Sequence, residues 1–326
     1  MKKKTASIAK HYGIAKKISA AKSVKKALLF VNIHKKKAAS VACQIQAELE
    51  KKGVEAVLFY TGKSNDEKPQ KPPEGKWDIV FSLGGDGTVL YTARCLAPLG
   101  VPILPINLGT LCFIAGVDMH EWQDVYSQWE KGCLPLSRRS MLEVSVERNL
   151  NGVPDIIMKN ICLNDIVISS SGIAKLIKLD VQLSVNNEQA AASDEIILGS
   201  YRCDGLIMST PTGSSAYSMA AGGPILDPEM EAVILNPICP FALSNRPFVF
   251  PSRQPLSITV AHEQRTDVLL TIDGQDTFSL ECTDKIIIQQ AQQPALLISA
   301  GKHTYYSALR TKLSWAGDHS TGDADA

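Results

Sequence analysis

The stretch Asp78-Ile-Val-Phe-Ser-Leu-Gly-Gly-Asp-Gly-Thr88 decides the reading of this chain. Its first half, DIVFSL, is a nearly unbroken apolar run, the pattern of a strand buried on both faces. Its second half, Gly84-Gly85-Asp86-Gly87-Thr88, follows without a spacer, and Thr88 to Leu96 can form a helix. Glycines at a strand-to-helix junction let the backbone turn sharply and bring N–H groups close to an anion. The helix start adds partial positive charge, so a diphosphate is the expected guest. The spacing fits neither the dinucleotide fingerprint GxGxxG nor the Walker A loop.

Upstream, Ala27 to Ile33 is a second apolar run, and Val41, Ile45 and Leu49 recur at helical spacing. Gly53 stands where a glycine ends a helix, and Val54 to Tyr60 reads as another strand. Strand, helix, strand opens an α/β domain. Residues 61–77, with three prolines and many charges, read as a surface loop. Downstream, Val101 to Ile106 is a short strand ending at the turn Asn107-Leu108-Gly109.

From about Ser137 the texture changes to short, often alternating strands: MLEVSVE, DIVIS, KLIKLDVQLSV, RPFVF, LSITVA, DVLLTID and KIIIQ. The expected organisation is a basic extension over 1–26, an α/β domain over 27–135 and a β-rich domain over 136–300. A return segment over 301–316 packs on the first domain, and a disordered polar tail covers 317–326.

Composition narrows the function classes. The 34 basic and 33 acidic side chains leave a net charge of +1, which demands no polyanionic partner. Residues 1–26 nevertheless carry nine lysines and no acid, read as a solvated lead-in. No 18-residue apolar run is present, so no membrane span is expected. Eight cysteines without a CxxC pair read as thiols of a reducing compartment, hence a cytoplasmic protein. The six histidines have no ligand spacing, so no metal is assigned to side chains of their kind.

Two loops hold the candidate chemistry. Asp86 is a carboxylate inside an anion-binding loop, where it repels phosphate unless it has a separate task. Activating an attacking hydroxyl, or helping to hold a metal, is one such task. An aspartate that only shapes its own turn is the alternative, and the spacing does not choose between them. The second loop lies in Tyr201-RCDGLIMSTPTGSSA-Tyr217, where Gly213, Ser214 and Ser215 form a hydroxyl-rich turn suited to phosphate or ribose.

The two loops together, in order, resemble the NAD kinase family over roughly Ala27 to Ala300. GGDGT matches the family's diphosphate loop, and PINLGTLCFI (Pro105–Ile114) matches its PxNxGxLGF stretch. Arg139 stands where the family has an arginine, and Asn164-Asp165 falls on its NE motif. TPTGSSAY follows, then PFALSNRP (Pro240–Pro247) and Asp273-Gly274. Three positions depart from the pattern: Cys112 for glycine, Asp165 for glutamate, and Phe241 for histidine.

The resemblance implies a Rossmann-like α/β domain and a mostly β domain with the site in the cleft between them. It implies transfer of the γ-phosphoryl group of ATP to the adenosine 2'-hydroxyl of NAD, giving NADP, with Asp86 as base and Mg2+ or another divalent cation on the ATP. The implied contacts to diphosphate and NAD are Gly84, Gly85, Gly87, Thr88, Asn107, Arg139, Asn164, Asp165, Asp204, Thr212, Ser214, Ser215, Ala216, Tyr217 and Asp273. A homodimer or homotetramer is also implied. Two rivals share part of this pattern. A diacylglycerol- or sphingosine-type lipid kinase has a similar glycine loop but needs an apolar channel in place of TPTGSSAY. A noncatalytic NAD sensor would keep the pocket and lose turnover.

Overall fold

In the computed structural model the described residues are 24–62, 71–109, 112–114, 116–172, 175–185, 194–242, 244–299 and 302–313. The lysine-rich start, the tail from 317 and Trp315 lie outside them. The contacts divide the chain into two compact units. One takes the described residues up to Thr92, Val101–Ser137 and those from Leu296 onward; the other takes Ala93–Gly100 and Arg138–Ala295.

The first unit is built on a parallel sheet. Strands β1 (Lys26–Asn32), β2 (Glu55–Thr61), β3 (Ile79–Gly84), β4 (Pro102–Asn107), β5 (Val117–Asp118), β6 (Leu136–Arg139) and β19 (Ala295–Ile298) form seven strands in the order β2-β1-β3-β4-β19-β6, with β5 also on β4. Ala27 to Val31 and Ile79 to Leu83 are buried throughout, as the unbroken apolar runs require. The helix Ala38–Lys51 packs Ala38, Val41, Ala42, Ile45 and Leu49 inward, and Gly53 beyond it has φ +77°, the left-handed cap. A helix over Trp122–Glu130, which the sequence reading did not single out, buries Trp122, Val125 and Tyr126. The Trp122 and Tyr126 rings lie 6.0 and 5.7 Å from that of Phe81 in β3. The chain rejoins this unit at Leu296, before the 301 expected, because Leu296 and Leu297 pair in parallel with Pro102 and Ile103.

The second unit is β-rich. Its strands are β7 (Leu142–Leu150), β8 (Val153–Cys162), β9 (Asp165–Ser170), β10 (Ile177–Val185), β11 (Asp194–Cys203), β12 (Gly205–Ser209), β13 (Ala232–Ile238), β14 (Phe248–Pro251), β15 (Leu256–Val260), β16 (Val268–Ile272), β17 (Asp276–Leu280) and β18 (Lys285–Gln290). They form two six-stranded sheets, β11-β10-β15-β18-β7-β8 and β14-β13-β12-β9-β16-β17. Alternate residues fill one core: Val144, Val146, Leu179, Val181, Ile286 and Ile288 from one sheet, and Ile166, Ile168, Leu206, Met208, Leu270 and Ile272 from the other. Among the strands the sequence reading passed over, β8 and β11 have largely exposed or half-exposed residues that leave no clean alternation. Both are edge strands.

Candidate active site

In the first unit, β2 lies on one side of β1 and β3 on the other, so the sheet order reverses between β1 and β3. Open parallel sheets bind ligands at the carboxyl ends of the strands at such a switch point. The glycine loop is there. β3 ends at Gly84, and the helix runs Asp86–Leu96, beginning at the aspartate itself and not at Thr88. The Gly85 carbonyl accepts the Thr88 and Val89 N–H groups at 3.0 and 3.3 Å, which starts the helix.

Gly84 is required by contact. A side chain there would overlap the Thr88 hydroxyl and lie 2.8 Å from Thr88 Cβ. Thr88 is buried, and its hydroxyl accepts a hydrogen bond from Asn32 Nδ2 at the end of β1 at 3.0 Å. The Thr92 hydroxyl donates to the Thr88 carbonyl at 2.8 Å, locking the first turn. The half-buried Asp86 carboxylate accepts the N–H of Phe113 on Oδ2 and of Ile114 on Oδ1, both at 2.9 Å. These two bonds fix the carboxylate plane against a segment distant in sequence.

Asn107 ends β4, and its Oδ1 accepts the Gly109 N–H at 3.0 Å and the Cys112 thiol at 3.2 Å. Cys112 is thereby accommodated in the place of the expected glycine, immediately before the two N–H groups that hold Asp86. Asn32 and Lys35 were not among the sequence candidates. The Lys35 ammonium lies 3.4 Å from where a Gly109 side chain would begin. The carboxyl end of the first parallel strand was the available signal for Asn32; Lys35 was hidden in a lysine run.

The second unit assembles the other candidates around three turns. Asn164-Asp165 enters β9, and Thr210–Ser215 follows β12. The Asn164 carbonyl accepts the Thr210 N–H at 2.8 Å, and the Thr210 hydroxyl donates to the Leu163 carbonyl at 2.6 Å. Gly213 lies so close that a side chain would collide with the Asn164 carbonyl. The Ser214 hydroxyl donates to the Pro211 carbonyl at 2.6 Å and accepts the Leu226 N–H at 2.9 Å. The Ser215 hydroxyl reaches the Thr212 carbonyl at 3.4 Å. Ser214 and Ser215 therefore shape the turn with their side chains. In contrast, Asn164 Oδ1 and Thr212 Oγ1 are buried with no hydrogen-bond partner among the described residues. Buried polar atoms left this way are candidates for ligand contact.

The third turn is the hairpin between β16 and β17. Asp273, at φ +51°, turns its carboxylate onto the N–H groups of Leu163, Asn164 and Asp165 at 3.0, 2.7 and 3.2 Å. Burial, then the neighbouring Asp273 carboxylate, pushes the Asp165 carboxyl up to about 7. Burial also raises Asp273, against the lowering effect of its N–H donors and of Arg94.

Asp204 is half-buried between β11 and β12, its N–H donating to the Ile238 carbonyl at 3.0 Å. Ala216 is half-buried, Tyr217 is half-exposed at the start of the short helix Tyr217–Ala220, and Arg139 is buried at the end of β6. Phe241, exposed where a histidine was expected, has the Arg202 guanidinium 4.9 Å from its ring centre.

The family model for the ATP-NAD kinase N-terminal domain matches residues 27–133, and that for the ATP-NAD kinase C-terminal domain matches 163–300. The chain belongs to the ATP-NAD kinase family. It is 40% identical over 298 residues to an NAD kinase of Treponema denticola, covering 91% of this chain and 99% of that one. An NAD kinase of Geobacter sulfurreducens is 35% identical over 297 residues, covering 90% and 99%. Two solved structures share the fold. Yeast NADH kinase complexed with NADH matches with a TM-score of 0.76 at 21% identity, over 91% of this chain and 89% of that one. An Archaeoglobus fulgidus NAD kinase in complex with ATP matches with a TM-score of 0.64 at 24% identity, over 88% and 99%. The match through both units favours this family over the lipid-kinase rival.

Proposed function

We propose that this chain performs the family reaction, ATP and NAD to ADP and NADP, with Asp86 as its base and the turns around Asn164 and Gly213 as its NAD contacts. The observation that carries the reading is the Asp86 carboxylate, held by two backbone N–H groups inside a glycine loop at a sheet switch point. Asp86 takes the proton of the adenosine 2'-hydroxyl on one carboxylate oxygen. The freed oxygen forms its bond to the γ-phosphorus as the bond from that phosphorus to the β,γ-bridging oxygen breaks, and ADP leaves. Fixing the carboxylate in advance removes a reorientation that the reaction would otherwise require.

Gly84, Gly85, Gly87 and Thr88 line the diphosphate loop, with Asn107 holding its neighbouring turn and Lys35 adding positive charge. Asn164 Oδ1 and Thr212 Oγ1 are buried acceptors aimed at donor groups of NAD, and Asp165 accepts hydrogen bonds from ribose hydroxyls. Asp204, Ala216 and Tyr217 complete that subsite, and Arg139 is a cation for phosphate. No group of three or more histidine, cysteine, aspartate or glutamate residues suited to a metal occurs among the described residues. Mg2+ suits such a site, since it commonly takes one or two carboxylates and substrate phosphates. With Asp86 engaged on the hydroxyl, Mg2+ would be held chiefly by the ATP phosphates, where it would supply charge neutralisation. A homodimer or homotetramer, as the family resemblance implies, and a cytoplasmic location, as the cysteine usage suggests, belong to the same reading. No helix among the described residues is long and apolar enough to cross a membrane.

The test is NADP formation from NAD, ATP and Mg2+ by the parent and by Asp86→Asn. A fall in kcat of about 10²-fold or more, with NAD binding kept, supports the base. Undiminished turnover in Asp86→Asn removes that role, and NAD binding without turnover in the parent leaves a sensor.

A further inference from the structure

Arg94 was not among the sequence candidates, yet it is a buried cation with four contacts on one hairpin. Its side chain is 6% exposed and the Asp273 side chain it faces is fully buried. Arg94 Nη1 pairs with Asp276 Oδ2 at 2.9 Å and reaches the Ile272 carbonyl at 3.4 Å. Nη2 donates to Gln275 Oε1 at 3.0 Å, and Nε lies 3.9 Å from Asp273 Oδ2, a charge contact too long for a hydrogen bond. The guanidinium thus grips the turn Ile272–Asp276 at several points, as a planar fork does and a point charge does not.

The gripped turn in its turn grips the Asn164-Asp165 corner. Asp273 accepts the three consecutive N–H groups of Leu163, Asn164 and Asp165 and donates its own N–H to the Asp165 carbonyl at 2.9 Å. Among the described residues, the Asp273 carboxylate accepts backbone N–H groups and faces Arg94, so it is engaged in holding the protein together. We propose that Arg94 and Asp273 are positioning residues for NAD, acting through the backbone of Leu163–Asp165 to aim Asn164 and Asp165 at the nucleotide. Removing either leaves a buried partner uncompensated and frees the corner to move. A displacement of about 1 Å in a group that orients substrate is enough to cost affinity or rate.

This inference rests on the assignment of the corner to NAD made above. The variants are Asp273→Asn, Arg94→Lys and, to test that assignment, Asn164→Ala. The measurements are KM for NAD and for ATP, kcat, the NAD dissociation constant without ATP, and thermal melting. Asp273→Asn is expected to raise KM and Kd for NAD roughly tenfold or more, with KM for ATP within about twofold of the parent. Arg94→Lys keeps the charge and loses the fork, so it falls between parent and Asp273→Asn. Folded Asp273→Asn and Arg94→Lys with lowered melting but parental NAD affinity would overturn the inference, making the pair a stability element. Should Asp273→Asn fail to fold, Arg94→Lys decides by the same criterion. NAD affinity unaffected by Asn164→Ala overturns the assignment of the corner itself, and the inference with it. Affinity lost in Asn164→Ala but kept in the other two overturns the inference alone.

Discussion

Asp273 and Asp165 hold each other through one backbone and one side-chain hydrogen bond while their carboxylates repel. The Asp273 N–H donates to the Asp165 carbonyl at 2.9 Å, and the Asp165 N–H donates to Asp273 Oδ1 at 3.2 Å. The exchange keeps two acidic groups adjacent in a buried place, and its consequence is a proton held by Asp165 near neutrality.

The pH dependence follows in sign. The Asp165 carboxyl rises from an ordinary 3.8 to about 7 in the folded protein, first by burial and then by Asp273. Between those values the folded state keeps a proton that the unfolded chain has lost. Stability from this group is therefore complete below the unfolded value and lost as pH rises through about 7. Asp165→Asn is expected to gain stability over the parent from pH 5 to pH 8, by up to a few kcal/mol at about 1.4 kcal/mol per pH unit. Urea unfolding of both proteins across that range checks it; a difference constant with pH would exclude it.

NAD affinity moves the other way. If Asp165 must be ionised to accept ribose hydroxyls, the parent binds NAD more tightly as pH rises through about 7. Asp165→Asn, which has no charge to gain, loses that dependence. Calorimetric titrations with NAD at pH 6, 7 and 8 separate the two proteins.

Neighbouring glycines in the diphosphate loop are not equivalent. Gly84→Ala drives a methyl into the Thr88 hydroxyl and to 2.8 Å from Thr88 Cβ, within a turn locked by Asn32 and Thr92. Gly85→Ala meets only Cys112 Sγ, at an ordinary 3.7 Å. The first is expected to cost about 2 kcal/mol or more and most of the turnover, and the second under about 1 kcal/mol. Thermal melts with initial rates distinguish them, and equal effects would count against the geometry.

Gly213→Ala strikes the Asn164 carbonyl, a backbone atom already bonded to the Thr210 N–H. Backbone cannot swing aside as a side-chain end can, so the corner at Asn164 shifts. A higher KM for NAD at a nearly parental KM for ATP is the expected kinetic signature.

Ser214→Ala removes the acceptor of the Leu226 N–H and the donor to the Pro211 carbonyl. Losing the hydrogen bonds of the buried Ser214 hydroxyl costs about 1–3 kcal/mol, so melting should fall while Asp86 chemistry persists. Turnover per folded molecule is the check.

Much of the fold was legible because strong apolar periodicity leaves few options. ALLFVNI and DIVFSL admit little but buried parallel strands, and the 41, 45, 49 spacing admits little but a helix packed beside them. The glycine loop and TPTGSS could be found because tight turns and anion contacts restrict residue type. Strands such as Val153–Cys162 were not legible, since an exposed edge imposes no alternation on its residues.

The sequence by itself determined the two-part architecture, the loop at the end of β3 and the presence of Asp86 within it, because local backbone geometry and apolar burial are written in consecutive residues. Only the tertiary structure decided what those residues touch. It joined Asp86 to Phe113 and Ile114, Asn32 to Thr88, and Arg94 through Asp273 to Asn164 and Asp165. Contacts between residues distant in the chain depend on strand order and register, and no local pattern encodes either.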